Sequence, residues 1–241
     1  MHEDQSSRSR RATVVGALFI VATVAAGLSQ VAIGSLLDDP ADLADIAAHE
    51  NELRIGALLD LVTAAAVAAI PVMLYPILVL DRVTTAVGYL AARVLEAAVI
   101  LVGAISLLTL LALGQNALDA GAVTAPATQT LGDLLLEVRD LTDLVGTQIV
   151  FAVTALILNA SFHRTRIVPR LISVWGLIGA PLALAAGILG LFGLSPFSTL
   201  SVALFLPIAV NEMVLAVWLI AKGFDLAAVE SGAQGGAVGR A

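Results

Sequence analysis

Three charged residues lie where charge is costly. Arg93 and Glu96 sit inside an apolar run over 84–113, and Glu212 sits inside a second run over 198–222, ten residues before Lys222. A charge at the centre of a membrane helix costs about 2.5–3.5 kcal/mol on insertion scales, so it is rare and usually paired. At a rise of about 1.5 Å per residue, Arg93 is roughly 14 Å and Glu96 roughly 18 Å from the start of their run. Glu212 is roughly 15 Å from the end of its own. In a hydrocarbon core about 30 Å thick, all three reach the middle. Arg93 and Glu96 are three residues apart and can pair within one helix. Tyr89 lies one turn before Arg93 on the same face, and Asn211 adjoins Glu212. These residues define a candidate intramembrane polar cluster of Arg93, Glu96, Glu212, Tyr89 and Asn211. It has three readings: an inert ion pair that fixes helix packing, a proton or solute pathway, or side chains that snorkel without contact. Asp60 is a secondary candidate, five residues inside its own run, and reads as a boundary residue touching water.

The elements that must position these groups are membrane spans. Of 241 residues, 59% are hydrophobic and 13% charged, with a mean hydropathy of +1.00. Soluble domains carry roughly 25% charged residues, so lipid is the expected main solvent. A span needs about 20 apolar residues. Six runs qualify, over about 12–37, 55–80, 84–113, 144–162, 171–193 and 198–222. The fold class is therefore all-α: a polytopic membrane protein with a six-transmembrane-helix bundle. The first run follows Arg8, Arg10 and Arg11 but is longer than a signal-peptide core of roughly 7–15 residues, so it reads as a retained span.

Between spans, Asp39-Pro40 has the form of a helix start within the acidic loop 38–54. Thr130-Leu131-Gly132-Asp133 fits a loose capping box, and Leu131, Leu134, Leu135, Val138 and Leu141 have helical spacing into the fourth span. Gln148 and Asn159 in that span read as interhelical hydrogen-bond partners. Pro71, Pro76, Pro181 and Pro207 fall inside spans, where kinked but continuous helices are the common outcome. Gly176, Gly179, Ala183, Gly187 and Gly190 form a small-residue ridge suited to close packing.

Basic residues accumulate on the cytoplasmic side. With the N-terminus inside, Arg8, Arg10, Arg11, Arg82, Arg164, Arg166, Arg170, Lys222 and Arg240 are cytoplasmic, and only Arg54 and Arg139 face out. Both termini are then cytoplasmic, with residues 1–11 a polar tail and 223–241 a Gly/Ala-rich tail of disordered composition. The expected location is the plasma (inner) membrane, and the expected partner is the lipid bilayer. Nucleic acid is not expected, because the basic residues are short membrane-flanking clusters.

Most enzyme chemistry lacks its residues. There is no cysteine, and His2, His49 and His163 all lie outside the spans, which argues against a thiolate, haem or zinc centre. His-Glu-x-x-His, Gly-x-Ser-x-Gly and phosphate-cradling glycine motifs are missing. No cofactor is expected. The leading reading is a non-catalytic integral membrane protein with a structural charge cluster. The alternatives are a small permease-like transporter with its pathway at Arg93, Glu96 and Glu212, and a membrane enzyme acting on lipid. Three spans per half give the parity of an inverted repeat.

Several short motifs carry a resemblance. They are Arg54-Ile55-Gly56, Arg93-Val94-Leu95-Glu96, Val168-Pro169-Arg170-Leu171, Asn211-Glu212, Trp218 and Lys222-Gly223. Over about 11–224 the chain resembles the DUF4386 family of bacterial and archaeal integral membrane proteins, whose function is uncharacterised. The resemblance implies a membrane-embedded helical fold and no mechanism. That family often has a His near the start of the fourth span, where this chain reads Val145-Gly146-Thr147-Gln148.

Overall fold

A computed structural model describes residues 2–37, 43–119, 126–196 and 198–225, and every regular element among them is helical. The elements are α1 (His2–Leu37), α2 (Leu43–Ala48), α3 (Glu50–Leu78), α4 (Val83–Asp119), α5 (Pro126–Thr142), a π-helical segment (Asp143–Val150), α6 (Phe151–Thr165), α7 (Arg170–Leu191) and α8 (Thr199–Ala221). Among the described residues six stretches are long and apolar enough to cross a membrane: Arg10–Ile33, Glu50–Leu78, Val83–Ala117, Pro126–Thr165, Arg170–Leu191 and Thr199–Ala221. Their outward faces carry Leu28, Leu58, Ile105, Ile178 and Leu206, all exposed. Arg93, Glu96, Asp60 and Arg139 are buried. Apolar outside and charged inside is the arrangement that lipid selects, because hydrocarbon solvates leucine and not carboxylate.

The spans close into a ring. α1 packs on α3, α3 on α4, and α4 on the long run formed by α5, the π segment and α6. That run packs on α7, α7 on α8, and α8 returns to α1. One apolar core, with Phe19, Leu74, Tyr89, Phe162 and Leu215, fills the end near the α3–α4 turn. A second, with Ile33, Leu43, Leu53, Leu107 and Leu110, fills the end capped by α2. Between α7 and α8 the small-residue ridge makes close approach possible: a Cβ added at Gly179 would lie 3.0 Å from the Ile208 backbone nitrogen.

Helix ends follow from local chemistry. Ser198 caps α8, its hydroxyl accepting from the Ser201 N–H at 3.2 Å. Gly193, at φ 93°, closes α7 in a Schellman arrangement in which the Leu194 N–H donates to Leu189 O at 3.0 Å. Helices α3, α7 and α8 run on through Pro71, Pro76, Pro181 and Pro207.

The boundaries differ from the sequence expectation in three places. α1 begins at His2, so the polar stretch before the first apolar run is helical. α5 begins at Pro126, which places Thr130 a full turn inside it; the Thr130 hydroxyl returns to Pro126 O at 2.9 Å instead of capping. α5, the π segment and α6 form one continuous run, 40 residues long, so the fourth span reaches well before residue 144. Asp39-Pro40 and residues 226–241 lie outside the described residues, and with them the expected helix start and most of the C-terminal tail.

Candidate functional site

Two arginines organise the interior of the bundle, Arg93 paired with two carboxylates and Arg139 with one. The first is Arg93 on α4, 2% exposed. Its Nη1 lies 3.1 Å from Glu96 Oε1, one turn along the same helix, and its Nη2 lies 3.4 Å from Glu212 Oε1 on α8. Its Nε donates to Tyr89 Oη at 3.1 Å, so each guanidinium nitrogen has a partner. The rings of Phe19, Tyr89 and Phe151 stand 5.5–5.7 Å from Cζ, within cation–π range. The carboxylates are held in turn. Thr154 Oγ1 donates to Glu96 Oε2 at 3.2 Å, and Thr23 Oγ1 donates to Glu212 Oε2 at 3.4 Å. This triad joins α1, α4, α6 and α8 through groups that have no other solvent.

Asn211 is not part of it. Successive residues on an α-helix point about 100° apart, as 3.6 residues per turn require. With Glu212 facing Arg93, Asn211 faces α7, and its amide donates to Ile172 O at 2.8 Å. Asn159 also departs from the sequence reading: its Nδ2 donates to Ala155 O of its own helix at 2.9 Å.

The second arginine is Arg139 on α5, which the polar composition of 114–140 assigned to an outer loop. It is 7% exposed, and its Nη2 lies 3.3 Å from Asp60 Oδ2 on α3. Asp60 is not a water-facing boundary residue; it is 6% exposed, and Ser29 Oγ donates to its Oδ1 at 2.7 Å. Asp143 completes this triad, four residues after Arg139 and so on the same face. Thr147 and Gln30 line the cavity beside it. The room for Arg139 comes from Gly103 on α4, where an added Cβ would meet Thr142 Oγ1 at 2.7 Å and Arg139 Nη1 at 3.2 Å. The signal was available in the i, i+4 spacing of Arg139 and Asp143 and in the apolar stripe that continues past them. The π-helical turn at Asp143–Val150 has no comparable sequence signature; such turns recur at functional sites.

This second triad is incompletely satisfied. Asp60 Oδ2 and Arg139 Nε have no hydrogen-bond partner. The 3.3 Å ion pair between the two residues is a charge contact without an aligned hydrogen bond.

Both triads line one cavity of about 270 Å³. Val67, Ile100, Phe151, Phe205 and Ala209 form the apolar band between them. Seven residues separate Thr23 from Gln30 on α1, and seven separate Glu96 from Gly103 on α4. Both intervals put the triads about 10 Å apart along the bundle. Among the described residues no cluster of His, Cys, Asp or Glu is suited to hold a metal ion.

A third ion pair lies outside the spans. Asp81, in the α3–α4 turn, accepts from Arg164 Nε at 3.0 Å, and that hydrogen bond holds its carboxyl below the usual range.

No curated protein and no solved structure matches the chain. A family model does, that of the domain of unknown function DUF4386, over residues 14–223, a stretch that takes in both triads and all of the spans but the first four residues of the first. The chain belongs to the DUF4386 family of domains of unknown function.

Proposed function

We propose that this integral membrane protein holds a small solute in its internal cavity, as a permease-like protein without covalent chemistry of its own. The observation that carries this reading is the cavity, about 270 Å³, bounded at each end by an arginine–carboxylate triad. Ligand pockets for drug-sized molecules start at about 300 Å³, so the space suits something smaller. Charges that only fixed helix packing would have no need to border a common void. In this reading the protein resides in the plasma membrane with both termini cytoplasmic. The basic bias supports that orientation, and it strengthens once Arg139 is counted inside the bundle instead of in an outer loop.

A structural role is retained for one part of the site. The Arg93 triad is fully partnered and links four helices, which favours a packing function for that triad alone.

The test exploits the absence of cysteine. Ala209 lines the cavity and carries no polar group, so Ala209→Cys leaves both triads intact. A small water-soluble methanethiosulfonate reagent applied to one face of sealed vesicles should label it. Complete resistance of the folded variant from both faces would make the cavity a sealed void and the bundle a static scaffold.

A further inference from the structure

We infer that the cavity opens sideways into the membrane, through a slot between α1 and α8, and that the acyl chain of a bilayer lipid enters by it. The inference takes from the solute reading only that the cavity is occupied, and adds the route and the chemical class of the occupant.

Two glycines on one face of α1 locate the slot. Gly16 and Gly27 are three helical turns apart, so they point within about 20° of each other and lie about 16 Å apart along the axis. At Gly16 the approach of α8 is tight: an added Cβ would lie 2.5 Å from Ala216 O. At Gly27 an added Cβ would meet no atom within 4 Å, and the residue is exposed. Helix α8 shows the same divergence from its own side. Ala216, Ala209 and Val202 recur at heptad spacing and so share a face. Ala216 is 0% exposed, Ala209 is half-buried and Val202 is 47% exposed.

The helices part because each is held by a different neighbour. Beyond Thr23, α1 is fastened to α3, where the Ser29 hydroxyl donates to Asp60 and Ile33 packs on Gly56. The corresponding half of α8 is fastened to α7, with Ile208 against Gly179. The Thr23–Glu212 hydrogen bond, 3.4 Å long, stands between the closed end and the slot. The slot leads inward, since Ala26 and Gly27 of α1 and Phe205 and Ala209 of α8 all line the cavity.

Depth decides what meets this entrance. Leu28 and Val31 flank it on α1, and Val202 and Leu206 flank it on α8, all exposed on the outer surface of the spans. The medium there is hydrocarbon, because the slot lies between two membrane-crossing helices. The wall behind it is apolar as well, formed by Val67, Ile100, Phe151 and Phe205, with the charged groups set at the two ends of the cavity. Moving from lipid into such a space costs a chain nothing in hydration, so the dispersion contacts it gains decide the occupant. Water in the same band would forfeit hydrogen bonds.

Photolabelling tests this in nanodiscs made with a phosphatidylcholine that carries a diazirine at the end of one acyl chain. Val67 and Ile100 are buried residues of the cavity wall, out of reach of lipid on the outer surface. Mass spectrometry of the full-length protein should find adducts on them. Gly27→Trp, whose side chain has open space to enter, should reduce these adducts at least fivefold and leave those on the exposed Leu58 unchanged. Gly27→Ala should alter neither. Should Gly27→Trp misfold, Val202→Trp obstructs the slot from α8. Undiminished adducts in a folded tryptophan variant would overturn the slot. Disulfide-linked dimers of Gly27→Cys in place of adducts would give the slot to a second copy of the chain and overturn the lipid assignment. No adducts on Val67 and Ile100 in a protein whose Ala209→Cys form is labelled from water would overturn the inference and keep the solute cavity. Adducts alongside a resistant Ala209→Cys form would support the slot and end the permease reading. No adducts and no labelling would sink both.

Discussion

The Arg93 and Arg139 triads have the same formula and different finish. Each combines an arginine with one acid on its own helical run and one on another helix. At Arg93 every guanidinium nitrogen is partnered, and the aromatic rings of Phe19, Tyr89 and Phe151 stand within cation–π range. At Arg139 one nitrogen and one carboxylate oxygen are left without hydrogen bonds. A satisfied buried network rigidifies, whereas a partly satisfied one is destabilising unless something completes it. The difference separates chemically similar groups: one triad fastens helices together, and the other leaves part of its bonding capacity unused.

The comparison is broken most directly by removing each arginine. Arg93→Ala strands two carboxylates in a fully bonded site. Breaking a buried pair by deleting one partner costs about 3–5 kcal/mol, so folded yield in detergent should fall sharply. Adding Glu96→Gln should restore part of it. Arg139→Gln removes a cation whose own bonding is incomplete, and the loss should be nearer the 1–3 kcal/mol of one unsatisfied buried group. Thermal unfolding of the purified variants should rank them in that order. Equal losses would mean that the two triads do the same structural work.

Most of the architecture follows from composition and run length, because a span declares itself by about 20 consecutive apolar residues and lipid permits few alternatives. The Arg93 triad was legible for the same reason: a charge inside such a run is conspicuous, and i, i+3 spacing joins Arg93 to Glu96. Asn211 was misplaced because adjacency in sequence is not adjacency on a helix. Arg139 was missed because the amphipathic stretch 131–141 was placed outside the membrane, while its partner Asp60 and the gap at Gly103 come from other helices. Contacts between distant helices leave no period in the sequence. The same limit hid the cavity, which exists only where five of the spans fail to fill the space between them.

Space at Arg139 gives a finer probe of the same contrast. Gly103→Val would drive methyl groups toward Thr142 and the guanidinium, and overpacking of this kind costs about 1–3 kcal/mol. It should also displace Arg139 and weaken any ligand that the triad holds. Gly88 on the same helix has no atom within 4 Å of an added Cβ, so Gly88→Ala should be neutral or stabilising by up to about 1 kcal/mol, as Ala exceeds Gly in helix propensity. If both substitutions leave thermal stability and ligand affinity alike, Gly103 is not what admits Arg139.

The smallest expected effect comes from the pair that water reaches, and it calibrates the other two. Asp81 and Arg164 form a fork of hydrogen bonds between the α3–α4 turn and the end of α6, but the arginine is exposed. Exposed pairs contribute about 0–1 kcal/mol. The hydrogen bond from Arg164 lowers the Asp81 carboxyl below its unfolded value, about 3.9 for an aspartate. The linkage therefore has a definite sign. Its stabilisation is complete above the unfolded value and fades as pH falls through the lower folded one, since the unfolded chain then takes up the proton first. Unfolding of the parent and of Asp81→Asn, compared between about pH 6 and pH 3, should show a small gap that closes on acidification. A gap that widens toward acid would contradict the lowered carboxyl. A gap as large as that of Arg93→Ala would mean that burial is not what separates the interior triads from this pair.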